Sequence, residues 1–187
     1  MTIVEALVAH HDVLRRLYAQ AETNPEVFED FIRHLVIHHT MEEKYFYDLL
    51  GSFAEAEHDS LEAVNEHHII ELIIKDAQGF PRDHQNFPIK IEGLGEYTSH
   101  HLDEEEADIF PMAQKLFAAE ELEKLGALFE KAKQELLGVS IPELPKVLAD
   151  KFNIKATKTG AKTESAKPAG QSVDSAAYGL GIGALRQ

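Results

Sequence analysis

Eight of the eleven histidines in this 187-residue chain stand in four doublets, His10–His11, His38–His39, His67–His68 and His100–His101. The doublets begin 28, 29 and 33 residues apart. Each sits near the middle of a long stretch whose apolar residues recur at helical spacing. Helices joined by short connections run back and forth, so the midpoints of consecutive helices return to one height at about 1.5 Å of rise per residue. The spacing therefore predicts that all four doublets meet in one layer.

The stretches themselves read as helices. Ile3, Val4, Leu7, Leu14, Leu17 and Tyr18 mark the first, over 2–21, opened by Thr2 with Glu5 completing a capping box. Thr23-Asn24-Pro25-Glu26 starts a second, which Gly51-Ser52 ends just after Leu50. A third covers 54–77 through Leu61, Val64, Ile70, Ile73 and Ile74, and Gly79-Phe80-Pro81 breaks it. The fourth covers 88–118 through Leu94, Tyr97, His101, Ile109 and Met112, with Pro111 a point of bending or opening. A fifth, at 120–137, is expected to cross the end of the bundle, and 141–152 to add a turn or two.

The predicted class is all-α: an antiparallel up-and-down four-helix bundle over residues 1–138, with a short helical extension over 139–154. Residues 155–187, rich in Lys, Ala, Thr, Ser and Gly, carry few large apolar side chains to offset the entropy of ordering, and are expected to form a disordered tail.

On the second and fourth helices an apolar face carries a histidine with a carboxylate one turn on. His38 and Glu42, and His101 and Glu105, are four residues apart and stack on one helix face. Phe31, Leu35, Tyr45 and Leu49 share the first of these faces, and Leu94, Tyr97 and Met112 the second. A carboxylate on an apolar stripe needs a partner, because an unpaired buried charge is very costly. Neighbours on a helix differ by about 100°, so one member of each doublet should face the core. His101 is the clear choice on the fourth helix, and Glu42 favours His38 on the second. Periodicity alone leaves the first and third doublets undecided.

Each piece has an ordinary explanation: a hydrogen-bonded core histidine, a surface His–Glu pair, or a solvated run such as Asp103–Glu106. His34, His58 and His84 belong with these. Four doublets converging with two His–Glu pairs point instead to a metal ion. The chain has no cysteine, which leaves nitrogen and oxygen donors and excludes disulfides, thiolate zinc and iron–sulfur ligation. Four histidines and two or three carboxylates exceed one tetrahedral zinc and suit two octahedral ions, with Glu42 and Glu105 bridging. A non-haem di-iron centre with an open position follows. A ferritin-like site would need Glu-x-x-His on two helices, and the chain offers only Glu55–His58, near a helix start. Tyr45, Tyr47 and Tyr97 flank these turns, where they are expected to fill core or else to donate hydrogen bonds.

The formal charge of −15 argues against nucleic acid or an anionic membrane as partner. No apolar run approaches the roughly 18 residues of a membrane span. The start, MTIVEALVAHH, lacks the basic region of a signal peptide, so a cytoplasmic protein is expected.

His11 with Leu14 and Leu17, His38–Glu42–Glu43 followed by FYDLL, Glu66–His67, and His101–Glu105–Glu106 followed by IFP together resemble the hemerythrin-like HHE cation-binding domain. The resemblance covers about residues 1–135. It implies a four-helix bundle with two iron ions, oxo- or hydroxo-bridged, held by His11, His38, Glu42, His67, His101 and Glu105. Where the oxygen-carrying members place a second histidine one turn after the third-helix ligand, this chain has Glu71, a further candidate ligand. They also set an aspartate five residues after the fourth-helix histidine, against Glu105 at four here. The implied function is to bind, sense or consume oxygen, peroxide or nitric oxide. The alternative is to store or donate iron, including for iron–sulfur repair.

Overall fold

The structure, a computed structural model, describes residues 1–140 and 142–152. They form helices and turns, with no strand among the described residues. The helices are α1 (Ile3–Thr23), α2 (Phe28–Glu42), α3 (Asp48–Leu50), α4 (Glu57–Gly79), α5 (Phe87–Glu104), α6 (Phe110–Leu116), α7 (Ala119–Leu137) and α8 (Leu144–Phe152). The all-α class holds. The disordered-tail expectation lies outside the described residues.

Local signals act where the sequence placed them. Thr2 Oγ1 accepts from the Glu5 N–H at 3.2 Å while Glu5 Oε2 accepts from the Thr2 N–H at 2.8 Å, which satisfies donors a helix start leaves free. Asn24 Oδ1 accepts from the Glu26 N–H at 3.1 Å and opens a short 3₁₀ turn, Pro25–Val27, that leads into α2.

α1 packs along α2, α5 and α7, α2 along α7, and α4 along α5. Their apolar faces form two separate clusters. α1 enters the first through Ile3, Val4 and Leu7 and the second through Leu14 and Ala21. α2 meets them in the reverse order, through Phe28, Phe31 and Leu35 and then Ile37 and Met41. α4 passes from Ala63 to Ile70, Ile74 and Ala77, and α5 and its continuation run back from Phe87, Ile91 and Leu94 to Ile109, Phe110 and Ala113. The histidines occupy the level between the clusters.

α2 and α5 both end in a π turn, a widened helical turn with a five-residue hydrogen-bond step. The first covers Glu43–Tyr47, where the Asp48 N–H donates to the Glu43 carbonyl. The second covers Glu105–Ile109, where the Phe110 N–H donates to the Glu105 carbonyl. One inserted residue turns everything after it by about 100°. The expected stripe through His38 and Leu49 is therefore broken: Leu49 is 43% exposed and Leu50 is fully buried. The fourth helix shows the same slip, with Ala113 buried and Met112 only half-buried. Pro111 follows the second π turn and sits at the start of α6, where its missing N–H is tolerated. Leu50→Ala should cost about 2–5 kcal/mol in urea denaturation and Leu49→Ala under about 0.5. Equal costs would contradict the phase change.

α7 departs from expectation. It packs along α1 and α2 rather than crossing the bundle's end, and its buried stripe is Leu122, Leu125, Gly126, Phe129, Ala132 and Leu136. Gly126 permits this seating, because a Cβ there would stand 2.5 Å from the Met1 carbonyl oxygen.

Candidate metal centre

α1 and α2 are covered on more than one side, so a buried arc wider than 100° takes in both members of their doublets. His10, His11, His38 and His39 are all buried. On α4 and α5 the rule of one in and one out holds: His67 and His101 are buried, while His68 and His100 face solvent.

His11, His38, His67 and His101 converge from four helices, each turning Nε2 toward the centre. His67 Nε2 lies 2.9 Å from His101 Nε2. Glu105 joins the second to the first, with Oε1 3.2 Å from His101 Nε2 and Oε2 3.3 Å from His11 Nε2. Glu42 Oε2 lies 3.3 Å from His38 Nε2 and 3.7 Å from His67 Nε2. Both carboxylates are fully buried.

The outer ring nitrogens are held from behind. Glu106 Oε1 is 2.8 Å from His11 Nδ1, Glu43 Oε1 is 3.1 Å from His67 Nδ1, and Glu66 Oε2 is 2.7 Å from His101 Nδ1. His38 Nδ1 meets His10 Nδ1 at 3.2 Å, and His10 Nε2 meets His34 Nδ1 at 3.0 Å. An acceptor on Nδ1 fixes the tautomer with its lone pair on Nε2 and makes the ring a better ligand. Both Glu-Glu steps thus divide the work: Glu42 and Glu105 face the centre, while Glu43 and Glu106 orient histidines on other helices. Arg15 anchors Glu106 in turn, its Nη1 donating to Oε1 at 2.7 Å. Periodicity did not single out Glu43, Glu66, Glu106 or His10 for this orienting role; the doubled glutamates were the available signal.

Tyr47, carried inward by the first π turn, donates its hydroxyl to Glu105 Oε1 at 2.6 Å. Of the three flanking tyrosines it takes the hydrogen-bonding role, while Tyr45 packs against the Phe152 ring.

Glu71 is not brought to this cluster. The buried stripe of α4 runs through Ala63, His67, Ile70, Ile74 and Ala77, which leaves residue 71 on the flank. Its side chain is half exposed and faces Lys75 Nζ at 3.7 Å. In water the carboxylate keeps its hydration at no cost.

Charge is distributed unevenly among the clustered groups. Burial opposes charge on His101, but Glu105, Glu66 and Glu42 outweigh it and raise its pKa to about 10. Burial likewise opposes charge on Glu105, and His101, His11 and the Tyr47 hydroxyl overcome it, down to about 2. Burial and then the Glu105 charge push Glu42 well up. Burial and neighbouring imidazoles push His38, His39 and His67 well down, toward neutrality.

Several buried atoms have no hydrogen-bond partner: His11 Nε2, His38 Nε2, both oxygens of Glu42, Glu105 Oε2 and both nitrogens of His39. Orphaned buried acceptors are costly. Those of His11, His38, Glu42 and Glu105 are atoms that a cation would satisfy, and this donor set of nitrogen and carboxylate oxygen fits one; Arg33 Nε and Ser60 Oγ are unpartnered as well. His11, His38, Glu42 and Glu105 offer donor atoms within 4.8 Å of one another, and so do Glu42, His67, His101 and Glu105.

Fold and site define a helical protein that gathers buried histidines and carboxylates for metal cations. The family model of the hemerythrin HHE cation-binding domain matches residues 2–113. The chain belongs to that family, whose domain binds metal cations, typically iron. In structure it is similar to a hemerythrin HHE cation-binding domain-containing protein of Mycobacterium kansasii, with a TM-score of 0.67 and 20% identity over 78% of this chain and 93% of that one. That likeness carries the fold. No curated protein matches the chain significantly in sequence. Among the described residues, no helix is long and apolar enough to cross a membrane.

Proposed function

We propose that this chain is a non-haem di-iron protein that binds, senses or consumes a small oxidant: oxygen, peroxide or nitric oxide. The observation that carries the reading is that Glu42 and Glu105 belong to both four-residue donor groups. Two ions sharing two carboxylates can stand close, because the bridging charges offset their repulsion. His11 and His38 would hold one ion, and His67 and His101 the other. Imidazole and carboxylate donors without thiolate suit iron.

A bound iron pair supplies redox equivalents to a small oxidant. The chain's own residues provide the setting. The Tyr47 hydroxyl keeps a proton on Oη beside Glu105, and Glu43, Glu66, Glu106 and His10 keep the histidines aimed. A groove of about 900 Å³ leads from solvent to His101 and Glu105. Its lining includes Glu55, Asp59, Glu62, Glu66, Glu104 and Asp108, a negative field that favours neutral molecules and cations over anions.

That same field supports a second reading, iron storage or donation, since it concentrates ferrous ion at the mouth. One experiment separates the two. The iron-loaded chain is mixed with peroxide and with nitric oxide while its optical spectrum is followed. Perturbed bands, or peroxide loss, support the first reading. A chain inert to oxygen, peroxide and nitric oxide that passes iron to a metal-free acceptor overturns it in favour of the second.

A further inference from the structure

Three of the four converging histidines have a carboxylate behind them: Glu106 on His11, Glu43 on His67 and Glu66 on His101. An ionised carboxylate can only accept, so it holds the ring proton on Nδ1 and leaves Nε2 bare. His38 is different. Behind it stands the buried His10 ring, whose far nitrogen meets His34 in turn. Three imidazoles thus run from the centre to a half-buried side chain.

His38 Nδ1 and His10 Nδ1 are 3.2 Å apart, and His10 Nε2 is 3.0 Å from His34 Nδ1. The ring centroids are 5.0 and 5.3 Å apart, close to these contacts plus two ring radii. Donor and lone pair therefore lie near the ring planes, as a hydrogen bond requires. Burial, then the Lys133 charge, holds the His10 pKa down to about 2, and burial also lowers that of His34, so both rings are neutral at about pH 7.

A neutral imidazole has one N–H and one lone pair, so fixing one ring fixes the next. The chain then has two directions. Outward, His38 Nδ1–H donates to His10 Nδ1, His10 Nε2–H donates to His34 Nδ1, and His38 Nε2 stays bare for a cation. Inward, His34 Nδ1–H donates to His10 Nε2 and His10 Nδ1–H donates to His38 Nδ1. The His38 proton then sits on Nε2, 3.3 Å from Glu42 Oε2, and excludes a cation. Both partners of His10 are imidazoles, so His10 itself favours neither direction. The choice falls to the ends.

We infer that His34 is a positioning residue for the ligand His38: as the acceptor that ends the chain, it holds the His10 proton on Nε2 and the His38 proton on Nδ1, which frees the His38 lone pair for metal. This rests on the di-iron reading above. The dependence is mutual, because a cation on His38 permits only the outward direction and so decides which nitrogen of His34 carries hydrogen.

Two measurements on the full chain test it. The first is long-range proton–nitrogen NMR of the histidine rings at about pH 7 with zinc, a diamagnetic ion that takes imidazole and carboxylate donors. His34 and His10 should both carry hydrogen on Nε2 and show a bare Nδ1. Hydrogen on His34 Nδ1 with zinc bound overturns the inference. The second compares ferrous affinity, by competition with a chelator, in the unaltered chain, His34→Leu and His34→Asn, with circular dichroism as the control for folding. Leucine removes the acceptor, whereas the asparagine oxygen can stand close to the place of Nδ1. His34→Leu should hold one of its two ions about ten-fold more weakly, the lower end of the roughly 10–100-fold that outer-shell changes cost. His34→Asn should recover most of that loss. Unchanged affinity in a folded His34→Leu, or an equal loss in His34→Asn, overturns the positioning role and leaves the di-iron reading standing. An unaltered chain that binds neither zinc nor iron overturns both.

Discussion

Ferrous ion added to the metal-free chain should raise its melting temperature by roughly 10 °C. The cause is the set of buried donors that lack partners: the native fold gathers them, and the unfolded chain does not. A ligand that binds only the folded state at about a thousand times its dissociation constant adds about 4 kcal/mol, and 1 kcal/mol moves a chain of this size by about 2–4 °C. The increment should shrink in acid, because ligating nitrogens and oxygens must first lose their protons. The metal-free chain has its own pH dependence. His38, His39 and His67 are held well below the ordinary 6.5 by burial, so the unfolded state takes up protons that the folded state refuses. Their contribution is complete above pH 6.5 and is lost as pH falls below it, while His101 and Glu42, which hold protons more tightly in the fold, act in the opposite sense. Calorimetry with and without iron, at pH 7.5 and about 5.5, checks both signs. A melting temperature indifferent to iron would remove the metal reading.

Loss of a shared carboxylate should be far more damaging than loss of a terminal histidine. Glu105 touches His11, His101 and Tyr47, and it belongs to both donor groups. Glu105→Ala should therefore release both ions, whereas His11→Ala should retain about one per chain, held by Glu42, Glu105, His67 and His101. Without metal, Glu105→Ala also strands the His101 charge, a loss of about 3–5 kcal/mol for a broken buried pair. Glu42→Gln separates the two effects, since it keeps the side chain's shape and removes the bridging charge. Iron content by mass spectrometry, alongside urea denaturation, measures each. Equal iron in the Glu105 and His11 variants would mean that the carboxylates do not bridge.

Much of the centre was legible in the chain itself. Helical spacing around evenly placed doublets implied convergence, and a carboxylate one turn after His38 and His101 is a local pattern that any helix presents on one face. The caps at Thr2 and Asn24 are equally local, since donor and acceptor lie within three residues. Glu71 shows the limit of such reading. Its distance from His67 is right for a shared face, but only the neighbours of α4 determine that the inward stripe continues through Ile70.

The sequence by itself determined the helices, their order and the level at which the histidines meet, because these depend on short-range spacing and chain length. Tertiary structure alone decided that both rings of the first two doublets turn inward, and what stands behind the clustered rings. Two π turns move the phase of α2 and α5 by a residue, which buries Leu50 and Tyr47, and α7 covers α1 and α2 widely enough to bury both members of their doublets. Contacts between residues up to 95 positions apart, such as Glu106 on His11, then aim the histidine rings. Periodicity cannot express those facts, since they depend on where one helix lies against another.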